Sequence, residues 1–281
     1  MNSRAVVVVG MHRSGTSAVA RGLAALSVYL GDNFFDAQPD NPTGYWEDKS
    51  IVAINQRVLE ELRLRWDDTP LIGAERFEHH RIRLQRIKAV RYLKDAFADR
   101  PLWGFKDPRT IRLLPFWRAA LRERGADDAY VIAIRHPRSV AASLFRRQEI
   151  APPKAQRLWL VHMVPFLHEL EGRPLVVVDY DLLARDPRAQ LERITQRLDL
   201  PRDEAVPREL DRFTRGFFDE SLRHSVFSTT DFEANTDVAR LTQTAYLLLH
   251  DLATDRQAGT ERFWPAWKQV QLDLEALPHE A

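Results

Sequence analysis

Apolar positions along the chain fall into two patterns. Short unbroken runs at residues 5–9, 130–134 and 175–178, mostly β-branched, suit strands buried on both faces of a parallel sheet, and residues 101–105 add a shorter one. Between them the apolar residues recur at helical spacing: across 18–26, at Ile51, Ile54, Val58, Leu59 and Leu62, and at Phe77, Leu84, Ile87, Val90 and Leu93 within 74–98. Further helices are expected over 111–124, from Pro137 onward, and over 154–171, 187–200, 237–254 and 260–274. Residues 29–45, rich in Gly, Asp, Asn and Pro, read as irregular, and 201–207 as a polar link. Strands alternating with helices predict the α/β class: a mainly parallel sheet of four or five strands flanked by helices. Without repeats or a convincing linker, the expectation is a single domain over 1–281, with a helical C-terminal region at about 205–281 packing on it.

The first run ends in a loop with its own spacing. Gly10-Met11-His12-Arg13-Ser14-Gly15-Thr16-Ser17 follows G-x-x-x-x-G-T-S, the Walker A pattern with Thr16 in the lysine position, so the fold is expected to be P-loop NTPase-like. Glycines that admit an anion to the main chain, followed by a helix start, make a phosphate cradle. Ser14, Gly15, Thr16 and Ser17 belong to it, and Arg13 adds a guanidinium that can fork onto two oxygens. Without the lysine, such a loop still holds a 5′-phosphate but lacks the cation that reaches the terminal phosphates of ATP.

Composition narrows the surroundings of that loop. A chain of 281 residues can bury a full core, and its formal net charge of +1 leaves attraction for anions to local clusters, with no sign of a nucleic-acid partner. The absence of cysteine excludes disulfides and cysteine-ligated metals. The early apolar run is too short for a signal peptide and no stretch approaches a membrane span, so a cytoplasmic protein is expected. The oligomeric state is left open.

Three further places carry chemistry. Lys106, opening the Lys106-Asp107-Pro108 triplet, ends the 101–105 strand, and the carboxyl ends of parallel strands are where α/β folds bind ligands; a surface loop cap is the alternative. Arg135 lies at the tip of the 130–134 strand, and Ser143 lies eight residues on, along the helix that Pro137 starts. Converging on one anion, they would make a second phosphate site, and two sites suit a ligand with both 5′- and 3′-phosphates. His136 between them is read as shaping the turn. Glu47, near the first turn of the 51–62 helix, is either a partner of the helix dipole or a general base. Asp179, after Val176-Val177-Val178, could hold magnesium as a Walker B residue, but it and Asp181 are read as structural. The basic segment 74–98 is a solvated face or a landing surface for an acidic acceptor.

On GMHRSGTS, on the Lys-Asp-Pro triplet and on the arginine-to-serine spacing of 135 and 143, the chain resembles the sulfotransferases that use 3′-phosphoadenosine 5′-phosphosulfate (PAPS). The likeness is to the bacterial-type branch with arginine in its 5′-phosphosulfate loop, and it runs from residue 5 to about 190, including the strand end at Asp179-Tyr180-Asp181-Leu182. It implies an O-sulfotransferase (EC 2.8.2 class) that moves a sulfuryl group from PAPS to an acceptor hydroxyl and releases 3′-phosphoadenosine 5′-phosphate (PAP), with no metal. Glu47 would take the acceptor's proton, with His12 the next candidate, while Arg13 and Lys106 stabilise growing negative charge. Arg223 and His224 would contact the nucleotide from a C-terminal loop. The acceptor is expected to be a glycan, a lipid-linked sugar or a secondary metabolite, in preference to tyrosine. Two alternatives stay open: a magnesium- and ATP-dependent small-molecule kinase, favoured by the loop and the Val-Val-Val-Asp strand, and a non-catalytic nucleotide-binding module.

Overall fold

In the computed structural model, strand β1 (Ser3–Val9) lies between β2 (Leu102–Lys106) and β3 (Ala126–Ile134), with β4 (Leu175–Asp179) beyond β3. All neighbours are parallel, in the order β2-β1-β3-β4. The structure describes residues 3–36, 44–202, 206–216, 227–229, 231–232, 236–256 and 261–278.

Both faces of the sheet are buried, which is why its strands read as continuous apolar runs. Val6, Val8, Val131 and Val178 face one layer, made by α1 (Thr16–Ala25), α8 (Pro187–Arg197) and α9 (Val206–Gly216). Val7, Val9, Ile132 and Val177 face the other, built from α2 (Lys49–Glu61), α3 (His80–Ala96), α4 (Leu114–Arg124), α5 (Pro137–Gln148), α6 (Pro152–Met163), α10 (Asp237–Ala253) and α11 (Phe263–Ala276). Trp264 and Trp267 are buried in that second layer as packing residues. The remaining helix, α7 (Tyr180–Arg185), follows β4 directly. No helix among the described residues is long and apolar enough to cross a membrane.

The structure corrects several boundaries. The helix expected over 154–171 ends at Met163, and a short 3-10 turn over Leu167–Leu170 follows. Pro165 is the cause, because it has no amide to donate and restricts the residue before it. The helix expected over 111–124 is a 3-10 turn (Pro108–Leu113) followed by α4, which takes Pro115 into its first turn. Strand β3 starts at Ala126, earlier than its apolar run, because the buried carboxylate of Asp128 is paired with Arg118 and accepts the Tyr130 hydroxyl at 2.7 Å.

The register sets up the site. Val8 pairs with Lys106, Val9 with Ile132, and Ile134 with Asp179. The carboxyl ends of all four strands therefore meet at one edge of the sheet.

Candidate active site

The loop between β1 and α1 takes its shape from two glycines. Gly10 (φ 150°) lies so close to β3 that a Cβ would collide with the Ala133 carbonyl. Gly15 is left-handed (φ 82°) at the N-cap of α1, and a Cβ there would strike the Tyr180 ring. Gly15 gives α1 no side-chain cap, so the amides of its first turn are directed at the loop. Ser14 is fully buried, and its Oγ has no hydrogen-bond partner among the described residues. A buried hydroxyl left so costs about 1–3 kcal/mol, and an anionic oxygen in the cradle would relieve it. Arg13, itself in the left-handed region (φ 67°), sends Nε to the Ser143 Oγ at 2.9 Å.

Glu47 and Lys106 meet through a strap of chain. The Tyr45 carbonyl accepts from Ser17 Oγ of α1 at 3.0 Å and from Lys106 Nζ at 2.8 Å. Two residues on, Glu47 Oε1 lies 2.7 Å from the same Nζ. The side chains are 1% (Lys106) and 14% (Glu47) exposed, so this pair is largely removed from water. Burial lowers the Lys106 pKa, and the Glu47 carboxylate opposes that shift. Asp48, rather than Glu47, caps α2, accepting from the amides of Ser50 and Ile51 and from the Tyr92 hydroxyl at 2.6 Å. Glu47 thus lies just before the cap, outside α2. Asp107 likewise has a structural task, capping the following turn and holding Arg109 Nη1 at 2.6 Å.

Across the sheet edge, Arg135 lies with its guanidinium 4.7 Å from the centre of the Tyr180 ring. Tyr180, which the sequence reading quoted without a role, therefore stands between Gly15 and Arg135. His136 shapes the turn as expected: its Nδ1 accepts the Arg138 amide at 3.2 Å, capping α5, and its ring packs on Phe232 and Tyr246. Burial pushes its pKa down to about 4. Asp179 spends one oxygen on the amides of Asp181 and Leu182 and the other on the Tyr246 hydroxyl. Burial raises its pKa. Among the described residues no group of three or more His, Asp or Glu side chains is placed to hold a metal. Arg223 and His224 lie outside the described residues.

His12 packs against two aromatic rings. Its ring lies 4.3 Å from that of Trp66, tilted by 42°, and meets His162 edge-on at 6.0 Å. Burial first, then His162, Arg109, Lys106 and Arg13, hold its pKa well below 6.5. The His162 Nδ1 lies 2.7 Å from the Leu158 carbonyl, which can only accept, so Nδ1 carries the proton and Nε2 presents a lone pair. Neither Trp66 nor His162 was singled out in the sequence. The 65–70 segment that carries Trp66 is held by buried Arg112, which donates to the carbonyls of Asp68 at 2.8 Å and Pro70 at 2.9 Å.

A parallel α/β sheet with a Walker-type loop at the tip of an interior strand defines a P-loop-like protein. Residues 5–204 match the model of the sulfotransferase family, and the chain belongs to that family. It is a transferase of the sulfotransferase class. Among solved structures it is similar to the sulfotransferase domain of the Synechococcus PCC 7002 olefin synthase (18% identity, TM-score 0.44, covering 99% of this chain and 97% of that one). It is also similar to the sulfotransferase STF1 of Mycobacterium tuberculosis (16%, TM-score 0.43, 79% and 76%) and to STF9 of Mycobacterium avium (14%, TM-score 0.40, 100% and 78%). No protein of curated function matches the chain in sequence.

Proposed function

We propose that this sulfotransferase uses PAPS as donor and a hydroxyl of a small-molecule or glycan acceptor, and that the chain works as one domain. The observation that carries the reading is the Arg13–Ser143 hydrogen bond, which joins the loop to the arginine-and-serine motif. The α1 amides, Ser14 and Arg13 would hold the 5′-phosphosulfate, and Arg135 and Ser143 the 3′-phosphate. When bound, PAPS supplies a sulfuryl group whose bond to phosphate breaks as the acceptor oxygen bonds to sulfur, with PAP as the leaving group.

Glu47 is the proton acceptor in this scheme. His12 is a poor one near pH 7, because burial among cations keeps its imidazole neutral and weakly basic. The Lys106 ammonium, with its acidity raised by burial, would stabilise charge on the departing phosphate and supply a proton to it if one is needed. Arg13 acts by charge alone, since guanidinium does not release its proton at workable pH.

The kinase alternative is less well supported, because both oxygens of Asp179 are committed to the α7 cap and to Tyr246. The test is thermal stability of the purified protein with PAP, set against ADP and against ATP with magnesium. A ligand at a hundredfold its Kd adds about 2.7 kcal/mol to the folded state. Stabilisation by PAP, unaffected by EDTA, is expected. Stabilisation by ATP with magnesium and not by PAP would transfer the protein to the kinase reading.

A further inference from the structure

Helix α3 carries Arg81, Arg83, Arg86, Lys88, Arg91 and Lys94 against a single carboxylate, Asp95, in a chain whose net charge is +1. Its buried side is set by Ile82, Ala89 and Leu93, and it packs between α2 and α4. At 100° per residue, six side chains, Arg83, Lys94, Ile87, Arg91, Leu84 and Lys88, fall within an arc of roughly 140° on the opposite side, an arc that exposed His80 and Asp95 share at the two ends of the helix. All six are exposed, Leu84 to 55% and Ile87 to 59%, so two aliphatic side chains one turn apart stand in the middle of the cations. None of Arg83, Lys88, Arg91 and Lys94 has an ion-pair partner among the described residues.

The edges of this stripe are closed. On the α2 side Arg81 pairs with Glu61 at 3.6 Å, and on the α4 side Arg86 pairs with Glu123 at 2.8 Å. The positive surface, from Arg83 to Lys94, is therefore one helix wide and about 17 Å long. Beyond it stand carboxylates, which an extended anionic plane such as a bilayer would have to meet. A narrow acidic rod would meet only Asp95, in the last turn of the helix.

We propose that the outer face of α3 is a docking surface for an acidic amphipathic helix of a partner protein. Leu84 and Ile87 would be its apolar anchors, and Arg83, Lys88, Arg91 and Lys94 the charges that set orientation and association rate. The helix that carries the stripe also touches the neighbourhood of the candidate active site through Tyr92, off the stripe, whose hydroxyl donates to Asp48 next to Glu47.

The test uses the full chain and a fluorescein-labelled helical peptide with a leucine stripe flanked by glutamates, followed by fluorescence anisotropy. Salt-dependent binding is expected, weakened about tenfold or more in K88E/R91E and a few-fold in L84Q/I87Q, with the melting temperature unchanged in both. The control R202E/K268E, which changes net charge equally at exposed positions elsewhere, should bind like the parent. Absence of binding, or equal weakening in the control pair, would overturn the proposal. Vesicles containing about one-third phosphatidylserine form the competing arm. If they bind through the same four cations while the peptide does not, the face belongs to a bilayer and the proposal fails.

Discussion

Arg13 Nε donates to Ser143 Oγ at 2.9 Å, joining two residues 130 positions apart. The two motifs that the sequence presents as separate phosphate sites therefore share a boundary. Fixing Nε also fixes the plane of the guanidinium, and so the direction of its remaining donors.

Replacement of Ser143 by alanine should weaken PAP binding beyond the loss of one contact, because it also releases Arg13. In a double-mutant cycle with Arg13→Ala, read by calorimetry with PAP, a coupling of roughly 0.5–3 kcal/mol is expected. Arg13→Ala alone should cost about 2–4 kcal/mol of transition-state stabilisation, by comparison with removal of an oxyanion donor. Strict additivity would refute the linkage, and an unchanged kcat in Arg13→Ala would refute the transition-state role of Arg13.

Glu47→Gln removes the carboxylate from a buried pair and leaves the Lys106 ammonium with the Tyr45 carbonyl. Breaking a buried pair on one side costs about 3–5 kcal/mol, and the part-exposed Glu47 places this case toward the lower end. Turnover should fall about 10²–10⁴-fold with PAP affinity largely kept. A variant that retains most of its turnover would eliminate Glu47 as the base.

Three histidines make the fold acid-sensitive. His12, His162 and His136 all have pKa values lowered by burial, His136 to about 4. Below about pH 6.5 the unfolded chain takes up protons that the folded one refuses, so stability is present above that pH and is lost as pH falls. Each histidine contributes a slope of up to about 1.4 kcal/mol per pH unit. Urea melts from pH 7.5 to 5 should show the decline, and His136→Gln should flatten part of it. A flat profile would contradict the buried neutral rings.

Asp179→Ala should lower stability by roughly 1–3 kcal/mol through the lost α7 cap and the orphaned Tyr246 hydroxyl. PAP binding to the parent should be the same in EDTA as in magnesium. A strong magnesium requirement that disappears in Asp179→Ala would restore the Walker B reading.

Local patterns by themselves determined the strands, most of the helices and the loop, because burial on two faces, glycine spacing and capping chemistry are written into neighbouring residues. Pro165 carried the signal that splits the 154–171 helix, within an otherwise continuous apolar periodicity. Arg13, Lys106 and Arg135 could be suggested as candidate cations from their places at strand ends. Their partners could not. Strand order and register bring residues 10–17, 106 and 135 to one edge, and the Tyr45 carbonyl then fastens Glu47 beside Lys106. The meeting of His12 with Trp66 and His162, and the seat of Tyr180 between Gly15 and Arg135, were likewise decided by packing between distant segments. Such contacts depend on the register of the whole sheet and the layers on its faces, which no window of sequence contains.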